Sequence, residues 1–543
     1  MGIMRRLKAL VPALLLVWTA AAQQIPHDGL RVWTKELLPN GKVKIGVECK
    51  TGPNAPAKSL AKVEIMFGEE CLYWFTQKPK AGEMFSRDIR IDVPQLWSQE
   101  TPVLYKVVYT LYEGKQEIAR TETALGIRTI TMDAEKGFLL NGKELRMKGL
   151  LLSEQSPLDA NEQMDENTMR HIIKTLLGMG CNILQTENGV PSPTLCDICD
   201  ETGMMLLARP ADTWTETDST AIVQSVCKLR NHPSVMIWSA GNETRYDCAE
   251  EETEHAKTVC RLIRAYDPTR PMTAGLKQID CAMQSGLMDM LDVAGLNNCP
   301  LRYKEANLKT RQHKVLGVQC LPTAEETEMM KNNDWVVGQF IQEDIVPLLS
   351  KTDRYYYYRS LWNTRQHTMY LTSHWNHDEG DTVSVRLLTD LPKAELLLNG
   401  KSLGKTDSAV WHNIPYTKGE LKAVGYDAKG KQAATCYLNT AGEAVHAEIV
   451  PEYAGEMTFL QIRILDANNT LCPQFDGEVL IKAEGSGELV AQLKDNKLEA
   501  IDAHEAKIRM TGGTTVIVTK GNLKLTALPD NLIGAILQIN HNK

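Results

Sequence analysis

Polar and apolar positions change rhythm along this chain. From residue 28 to about 131 they alternate in short runs, Lys42–Cys49, Lys62–Met66 and Val103–Tyr112. Turn signals such as Pro39-Asn40-Gly41 and Gly52-Pro53-Asn54 separate the runs. Successive strand side chains face opposite ways, so short alternating runs without helical spacing predict a β-sandwich. The segment Pro94–Pro102 breaks the alternation before Val103-Leu104-Tyr105, and Leu125–Ile130 closes the region.

Between Gly137 and about Trp362 the texture becomes strand, helix, strand. Phe138–Lys143 carries an Asn141-Gly142 hairpin turn, and Leu145–Leu152 is strand-like. Asp165 can cap a helix whose apolar residues fall at Met169, Ile172, Ile173, Leu176 and Leu177, one face of a 3.6-residue period. Gly178 and Gly180 end it, and Asn182-Ile183-Leu184 begins a strand. A helix at Pro193–Glu201, a strand at Met204–Ala208 and a helix on Ile222, Val223, Val226 and Leu229 follow. Leu229–Glu243 then reads LRNHPSVMIWSAGNE, a polar turn releasing the apolar run Val235–Trp238 and ending in Asn242-Glu243. A short apolar run bounded by breakers is a strand buried on both faces, and polar residues at its C-terminal end stand where barrel enzymes keep their chemistry. Lys314–Val318, Val336–Ile341 and a Tyr-rich helix over Asp353–Trp362 complete the region. Repeated strand–helix units predict a closed (β/α)8 barrel.

From about Thr368 the alternation returns in Asp381–Leu388 and Ala394–Leu398, with an Asn399-Gly400 turn. A last β module runs from about Ala447, with alternation in Phe459–Leu465, Glu478–Ala483 and Thr514–Thr519. No short repeat or low-complexity linker interrupts the chain. The expected division is 1–22 leader, 23–132 sandwich, 133–367 barrel, and β-sandwiches over 368–442 and 443–543.

The start adds an address. Arg5, Arg6 and Lys8 precede an apolar stretch, Leu10–Trp18, too short to span a bilayer, and Ala20-Ala21-Ala22 offers a cleavage site. These features predict export to the periplasm or beyond, with no membrane helix in the mature chain. The formal net charge is −8, and −11 once the leader's three cations are gone. No basic block appears, so nucleic acid is not an expected partner. Thirteen scattered cysteines form no framework, and Cys196 and Cys199 read as two packing positions on one helix, with free buried thiols expected over bridges. No metal-ligand spacing, phosphate loop or dinucleotide fingerprint is present, so no metal or cofactor is expected. Oligomeric state stays open.

Read in order, Pro94–Tyr105, Gly126–Ile130, Gly137–Gly149, His232–Glu243, Asp267–Pro271 and His374–Lys405 resemble glycoside hydrolase family 2, the β-galactosidase/β-glucuronidase family. The resemblance is close over roughly 85–410, and His232–Glu243 is its most specific part. It implies an immunoglobulin-like β-sandwich, a (β/α)8 TIM barrel, two C-terminal β-sandwich modules, and retaining hydrolysis of a β-linked glycan. Such hydrolysis needs two carboxyls, one to protonate the leaving oxygen and one to attack the anomeric carbon. Glu243 would be the acid/base, and Asn242 would bond the sugar 2-hydroxyl.

Several positions depart from the family. Gln319 stands where the attacking Glu belongs, and an amide neither attacks nor stabilises a cation. The family's His-rich turn after the first barrel strand is here Leu152-Ser153-Glu154-Gln155. Its Arg-Thr-Ser-His-Asn is Gln185-Thr186-Glu187-Asn188-Gly189, and its Asp-Glu pair is Ala208-Arg209, although Asp212 and Trp214 follow as in the family. A sugar-stacking Trp is replaced by Gln342, followed by Glu343 and Asp344. The sugar-binding jelly roll that precedes the sandwich in the family is expected to be missing. The expected substrate-binding set is therefore Asn242, Trp214, Asp212, Glu187, Gln342 and Glu343, around a pocket whose hydrolysis is impaired or lost. Two alternatives stand beside this. One is an active β-glycosidase drawing a carboxylate from Glu325, Glu326, Glu328, Glu343 or Asp344, or using a substrate's own 2-acetamido group; the three glutamates after Gln319 otherwise read as a solvated helix start. The other is a glycan-binding or complex-forming pseudoenzyme with Trp214, Trp238 and Trp375 as cleft candidates, against core packing.

Overall fold

A computed structural model describes residues 24–540 apart from 156–161, 188, 211–217, 243–249, 311–313, 322, 344, 373, 455–456 and 495–496. The leader therefore lies outside the described residues. The chain divides into two compact units, one comprising the residues up to Leu152 together with Asn182–Glu343, the other Ser153–Cys181 together with 344–543.

The first unit opens with a sandwich. Strands β1 (Leu30–Leu37), β2 (Val43–Lys50) and β5 (Met84–Ile91) form one antiparallel sheet. Strands β3 (Ser59–Phe67), β4 (Glu70–Gln77), β6 (Tyr105–Glu113) and β7 (Gln116–Leu125) form the other, in the order β4-β3-β6-β7. Alternation puts Val43, Ile45, Val47, Val63, Ile65 and Tyr109 into the space between them, all fully buried. The break at Pro94–Pro102 has a purpose. It carries Trp97 out of the sandwich and into the barrel's core, with no exposure and its indole N–H donated to the Asp200 carbonyl at 2.8 Å.

A small sheet follows, β8 (Ile130–Asp133), β9 (Gly137–Leu140) and β10 (Lys143–Glu144). Its hairpin turns at Asn141 and Gly142, both with positive φ (53° and 76°), the conformation that selects Asn-Gly. Then come the eight parallel strands of the barrel. They are β11 (Met147–Leu152), β12 (Ile183–Thr186), β13 (Met205–Ala208), β14 (Val235–Asn242), β15 (Met272–Gly275), β16 (Ala294–Asn297), β17 (Val315–Cys320) and β18 (Val336–Ile341). Seven neighbouring pairs run from β15 round to β16, and a bridge between Leu276 and Leu296 closes the circle. Strands β15 and β16 escape the hydropathy pattern because each has four residues, MTAG and AGLN, too few and too small to make an apolar run.

The floor of the barrel, at the N-terminal ends of its strands, accounts for the polar turn at Asn231–Ser234 and for Asp267–Pro271. Asn231 holds β1, accepting from the Val32 amide at 3.1 Å and donating to the Leu30 carbonyl at 2.9 Å. His232 bonds Asp200 at 2.7 Å, and the other Asp200 oxygen accepts the Ser234 amide at 2.8 Å. Pro233 lies against Gly126 so closely that a Cβ there would sit 2.4 Å from the proline ring. Beside this, Asp267 accepts from the Trp238 indole (2.9 Å), the Thr269 amide and hydroxyl, and the Arg270 guanidinium. Burial pushes the Asp267 carboxyl up, but Arg270 and these hydrogen bonds outweigh it and hold it below the usual range. Trp238 is thus a fully buried core residue.

The connecting helices follow from the sequence. Helix α1 (Glu166–Met179), in the second unit, is capped by Asp165, which accepts the Asn167 and Thr168 amides, and ends at Gly180 with φ 102°. Helix α2 (Pro193–Thr202) buries Cys196 and Cys199 completely, as free thiols. Helices α3 (Ser219–Leu229), α4 (Glu250–Tyr266), α5 (Ile279–Gln284), α6 (Tyr303–Lys309) and α7 (Ala324–Asn332) complete those of the first unit. Among the described residues eleven cysteines carry free thiols, whereas Cys281 is disulfide-bonded, so the expectation of free thiols fails there.

In the second unit, short helices α8 (Ile345–Leu349) and α9 (Asp353–Trp362) precede two sandwiches. The first packs sheets of three and four strands over Met369–Asn439 around Val385, Leu396 and Leu421. Trp375 belongs to this core, 1% exposed with its indole on the Thr417 carbonyl, and is not a cleft residue. The second packs sheets of five and four strands over Ala444–Ile539 around Leu460, Ile462, Val479 and Ile517. Among the described residues, no helix is long and apolar enough to cross a membrane.

Candidate functional site

Chemistry on a parallel barrel belongs at the C-terminal ends of its strands, where the backbone leaves the sheet. Two of these ends are irregular. The pairing of β14 with β15 shifts register between Ser239 and Asn242, and that of β17 with β18 shifts between Gly317 and Cys320. Such bulges re-aim side chains and gather beside active sites.

Gln319 sits in the second bulge with φ +54°, an unusual conformation for a residue with a side chain. Holding it there costs about 1–3 kcal/mol. The half-buried side chain is anchored, because Asn297 at the end of β16 donates from Nδ2 to its Oε1 at 3.0 Å. An amide there is neutral and carries N–H donors beside its oxygen. A carboxylate in the same place would offer a second acceptor and a charge.

The neighbouring strand ends bring other rim residues round. Gln342 is exposed just past β18, its amide donating to the Cys320 carbonyl at 2.8 Å, and Glu343 beside it is partly exposed. Across the rim, Glu187 follows β12 and donates its amide to the Leu152 carbonyl. Glu187 is exposed as a residue, yet partial desolvation of its carboxyl pushes its pKa up. Arg209 follows β13, 5% exposed, and its guanidinium donates to the carbonyls of Thr186 (3.1 Å) and Glu187 (2.5 Å). Asn242 ends β14, paired in register with Gly275. Glu243, Asp212 and Trp214 lie outside the described residues, as does Asp344.

Deeper in the bore stands Gln185. Register places it between Leu151 and Leu207, both members of the interior cluster. It is 1% exposed, and among the described residues neither side-chain oxygen nor nitrogen has a hydrogen-bond partner. An unmet buried amide costs about 1–3 kcal/mol, which makes the position unusual for a residue kept only for packing.

The glutamates after Gln319 separate cleanly. Thr323 caps α7, accepting the Glu326 amide, and Glu325 and Glu328 are exposed, as a solvated helix start predicts. Glu326 corrects that reading. Only 1% exposed, its carboxylate accepts the Tyr303 hydroxyl (2.9 and 3.0 Å) and the Gln339 amide nitrogen (2.7 Å), and burial raises its pKa. Tyr303 and Cys320 crowd the face of Gly317, where an added Cβ would lie 2.3 and 2.6 Å from them. Leu316 and Val318, on the opposite face, point into the bore. Glu326 therefore lies on the helix side of β17, away from any sugar in the bore.

One potential metal cluster exists among the described residues, Asp197, Asp200 and His232. It lies at the floor, and both Asp200 oxygens are already engaged by His232 and Ser234. Sequence reasoning missed Asn297 because the short strand carrying it was unread, and it read Glu326 as solvated because EET at a helix start looks so.

Comparison with known proteins places this geometry. The model of "Glycosyl hydrolases family 2" matches residues 31–128, and that of "Glycosyl hydrolases family 2, TIM barrel domain" matches 209–292. A domain of unknown function matches 380–434. A β-galactosidase of Bacteroides ovatus is 24% identical over an alignment covering 84% of this chain and 68% of the relative. A putative β-glucuronidase of Formosa agariphila is also 24% identical, covering 83% of this chain and 52% of the relative, so the chain spans about half that protein. Among solved structures, a glycosyl hydrolase family 2 member from Bacteroides cellulosilyticus superposes with a TM-score of 0.80 at 22% identity, over 96% of this chain and 79% of that one. A β-glycosidase from Bacteroides vulgatus gives 0.77 at 21% identity, over 95% and 79%.

Proposed function

Because the chain belongs to glycoside hydrolase family 2, we propose that it is an exported protein whose barrel engages a β-linked glycan with hydrolysis impaired or lost. The amide at Gln319, fixed by Asn297 on a bulged strand end, is the observation that carries this reading. Retaining hydrolysis places two carboxyls about 5–5.5 Å apart, and the second must attack carbon and form a glycosyl-enzyme bond. A neutral amide with its oxygen already bonded does neither. By analogy with nucleophile removal in a protease, the loss is on the order of 10⁶-fold in kcat.

In this reading Glu243 keeps the place of the proton donor, and Asn242 that of the 2-hydroxyl contact. Asp212, Trp214, Glu187 and Gln342 contribute to holding the sugar. Gln185 deepens the same trend: where the family pattern has a cation, this bore has a neutral side chain, so charge has left two positions of one pocket. The orientation of Glu326 counts against its serving as a substitute nucleophile. Glu343 supports the rival reading, an active retaining enzyme, because it stands on the rim one residue beyond Gln342.

The test is Gln319→Glu, assayed on aryl β-galactosides and β-glucuronides. Restoring the carboxylate is expected to raise turnover at least a hundredfold over the parent chain. Brisk turnover by the parent, abolished by Glu343→Gln, would overturn the proposal in favour of the rival. A folded Gln319→Glu protein as inert as its parent would show that the grip on sugar has gone too.

A further inference from the structure

Below the barrel floor, within the first unit, lies a cleft of about 410 Å³ that the proposed glycan chemistry does not use. Its walls include Thr34 and Lys35 of β1, Arg128, Arg230, Thr269 and Arg270. Most cations around it are matched by carboxylates: Lys35 by Asp88, Arg31 by Glu48 and Asp267, and Arg270 by Asp267. Two are not. Among the described residues, Arg128 donates only to the carbonyls of Gly126, His232 and Val235, at 3.0–3.4 Å, and has no ion-pair partner. Arg230 donates only to the Tyr266 carbonyl, at 3.2 Å. The Nε of each is buried without a hydrogen-bond partner.

We infer that this cleft is an oxyanion-binding site, built to take a carboxylate, sulfate or phosphate group between Arg128 and Arg230. The guanidinium fork matches such groups with two parallel hydrogen bonds, which an isolated carbonyl cannot supply. Desolvation pushes the pKa of both guanidiniums down, and at Arg128 the nearby Arg270 adds to it. Both guanidiniums are half-buried with no carboxylate among the described residues in ion-pair range, Asp200 and Asp267 acting on Arg128 and Asp267 and Asp28 on Arg230 only from farther off, and an anion seated between them relieves the remaining cost. The volume falls in the range of small-molecule pockets, so the oxyanion can be a free ion or be borne by a sugar-sized molecule. This inference is independent of what the barrel mouth binds, since the cleft is lined by floor residues and the sandwich.

The experiment is calorimetric titration of the full chain with inorganic sulfate, glucose 6-sulfate and glucose, repeated on Arg230→Gln. Sulfate is expected to bind saturably in the millimolar range, and Arg230→Gln to weaken it at least roughly tenfold, the worth of one hydrogen bond to a charged group. Tighter binding of glucose 6-sulfate than of sulfate, lost with the same substitution, assigns a sugar-borne anion; equal binding assigns the free ion. Absence of saturable sulfate binding up to tens of millimolar, or equal binding by the variant, overturns the inference. Should Arg230→Gln fail to fold, crystals of the parent soaked in selenate decide: an anomalous peak between the two guanidiniums supports the site, and its absence there refutes it.

Discussion

The two ends of one barrel are governed by different rules. At the floor a paired polar network ties the strands together, Asn231 with β1, His232 and the Ser234 amide with Asp200, Trp238 and Arg270 with Asp267, and the Arg128 and Arg230 guanidiniums stand outside it. At the mouth, on the proposed reading, amides at 185 and 319 stand where the family pattern carries charges, and the Gln185 side chain has no hydrogen-bond partner among the described residues. The same eight strands run from one end to the other, so packing is inherited along their length while chemistry resides only where they stop. On the proposed reading, catalysis is lost at 319 without loosening the fold that presents it. The bulge at Gly317–Cys320 remains, and so does the left-handed turn at Gln319.

This contrast can be broken or sharpened by substitution. The largest effect is the gain of turnover in Gln319→Glu, and the comparison requires that its thermal midpoint stay close to the parent's, because that side chain contributes to no core cluster. At the floor the reverse holds. Asp267→Ala leaves Arg270 buried beside an unpaired indole N–H and should cost about 3–5 kcal/mol of stability, read from urea unfolding of the first unit. A loss under ~1 kcal/mol would mean that the motif is not what ties the floor together.

Glu326 offers a smaller, pH-dependent test. Its pKa in the folded chain is raised above the unfolded value, so the folded state holds a proton that the unfolded state releases first. Stability from this group is full below the unfolded carboxylate pKa and declines as pH rises through the folded one. Urea midpoints of the parent minus those of Glu326→Gln should fall across that window and then level. A flat difference would place the carboxylate in a watery setting. Least of all, Asn297→Ala should cost about 0.5–1.5 kcal/mol by removing its hydrogen bond to Gln319. In the Gln319→Glu background it should lower kcat more than it raises KM if Asn297 orients the restored carboxylate.

Much of the fold was legible in the sequence, because its turns, caps and strand cores are fixed by local and packing rules. The Asn141-Gly142 turn, the Asp165 cap and the strand after Pro233 each follow from backbone chemistry that leaves few options. The helix over Asp353–Trp362 and the strand Val336–Ile341 match their hydropathy reading residue for residue. Less could be read at β15 and β16, whose four-residue spans rely on neighbours rather than on their own apolar content. The mouth was legible only as substitutions against a family pattern. Distances across it depend on where strands stop and bulge, which periodicity does not encode. Glu326 illustrates the limit: nothing in EET reveals that Tyr303 and Gln339, 23 and 13 positions away, will enclose the middle residue.

The anchored turn at Gln319 has an evolutionary reading. Codons for glutamine and glutamate differ by a single base, and the backbone that would aim a carboxylate is already in place. A selection for sugar cleavage starting from this gene would therefore begin one transversion away at that position. Retuning Gln185, Glu187, Arg209 and Gln342 would be the slower part of the climb.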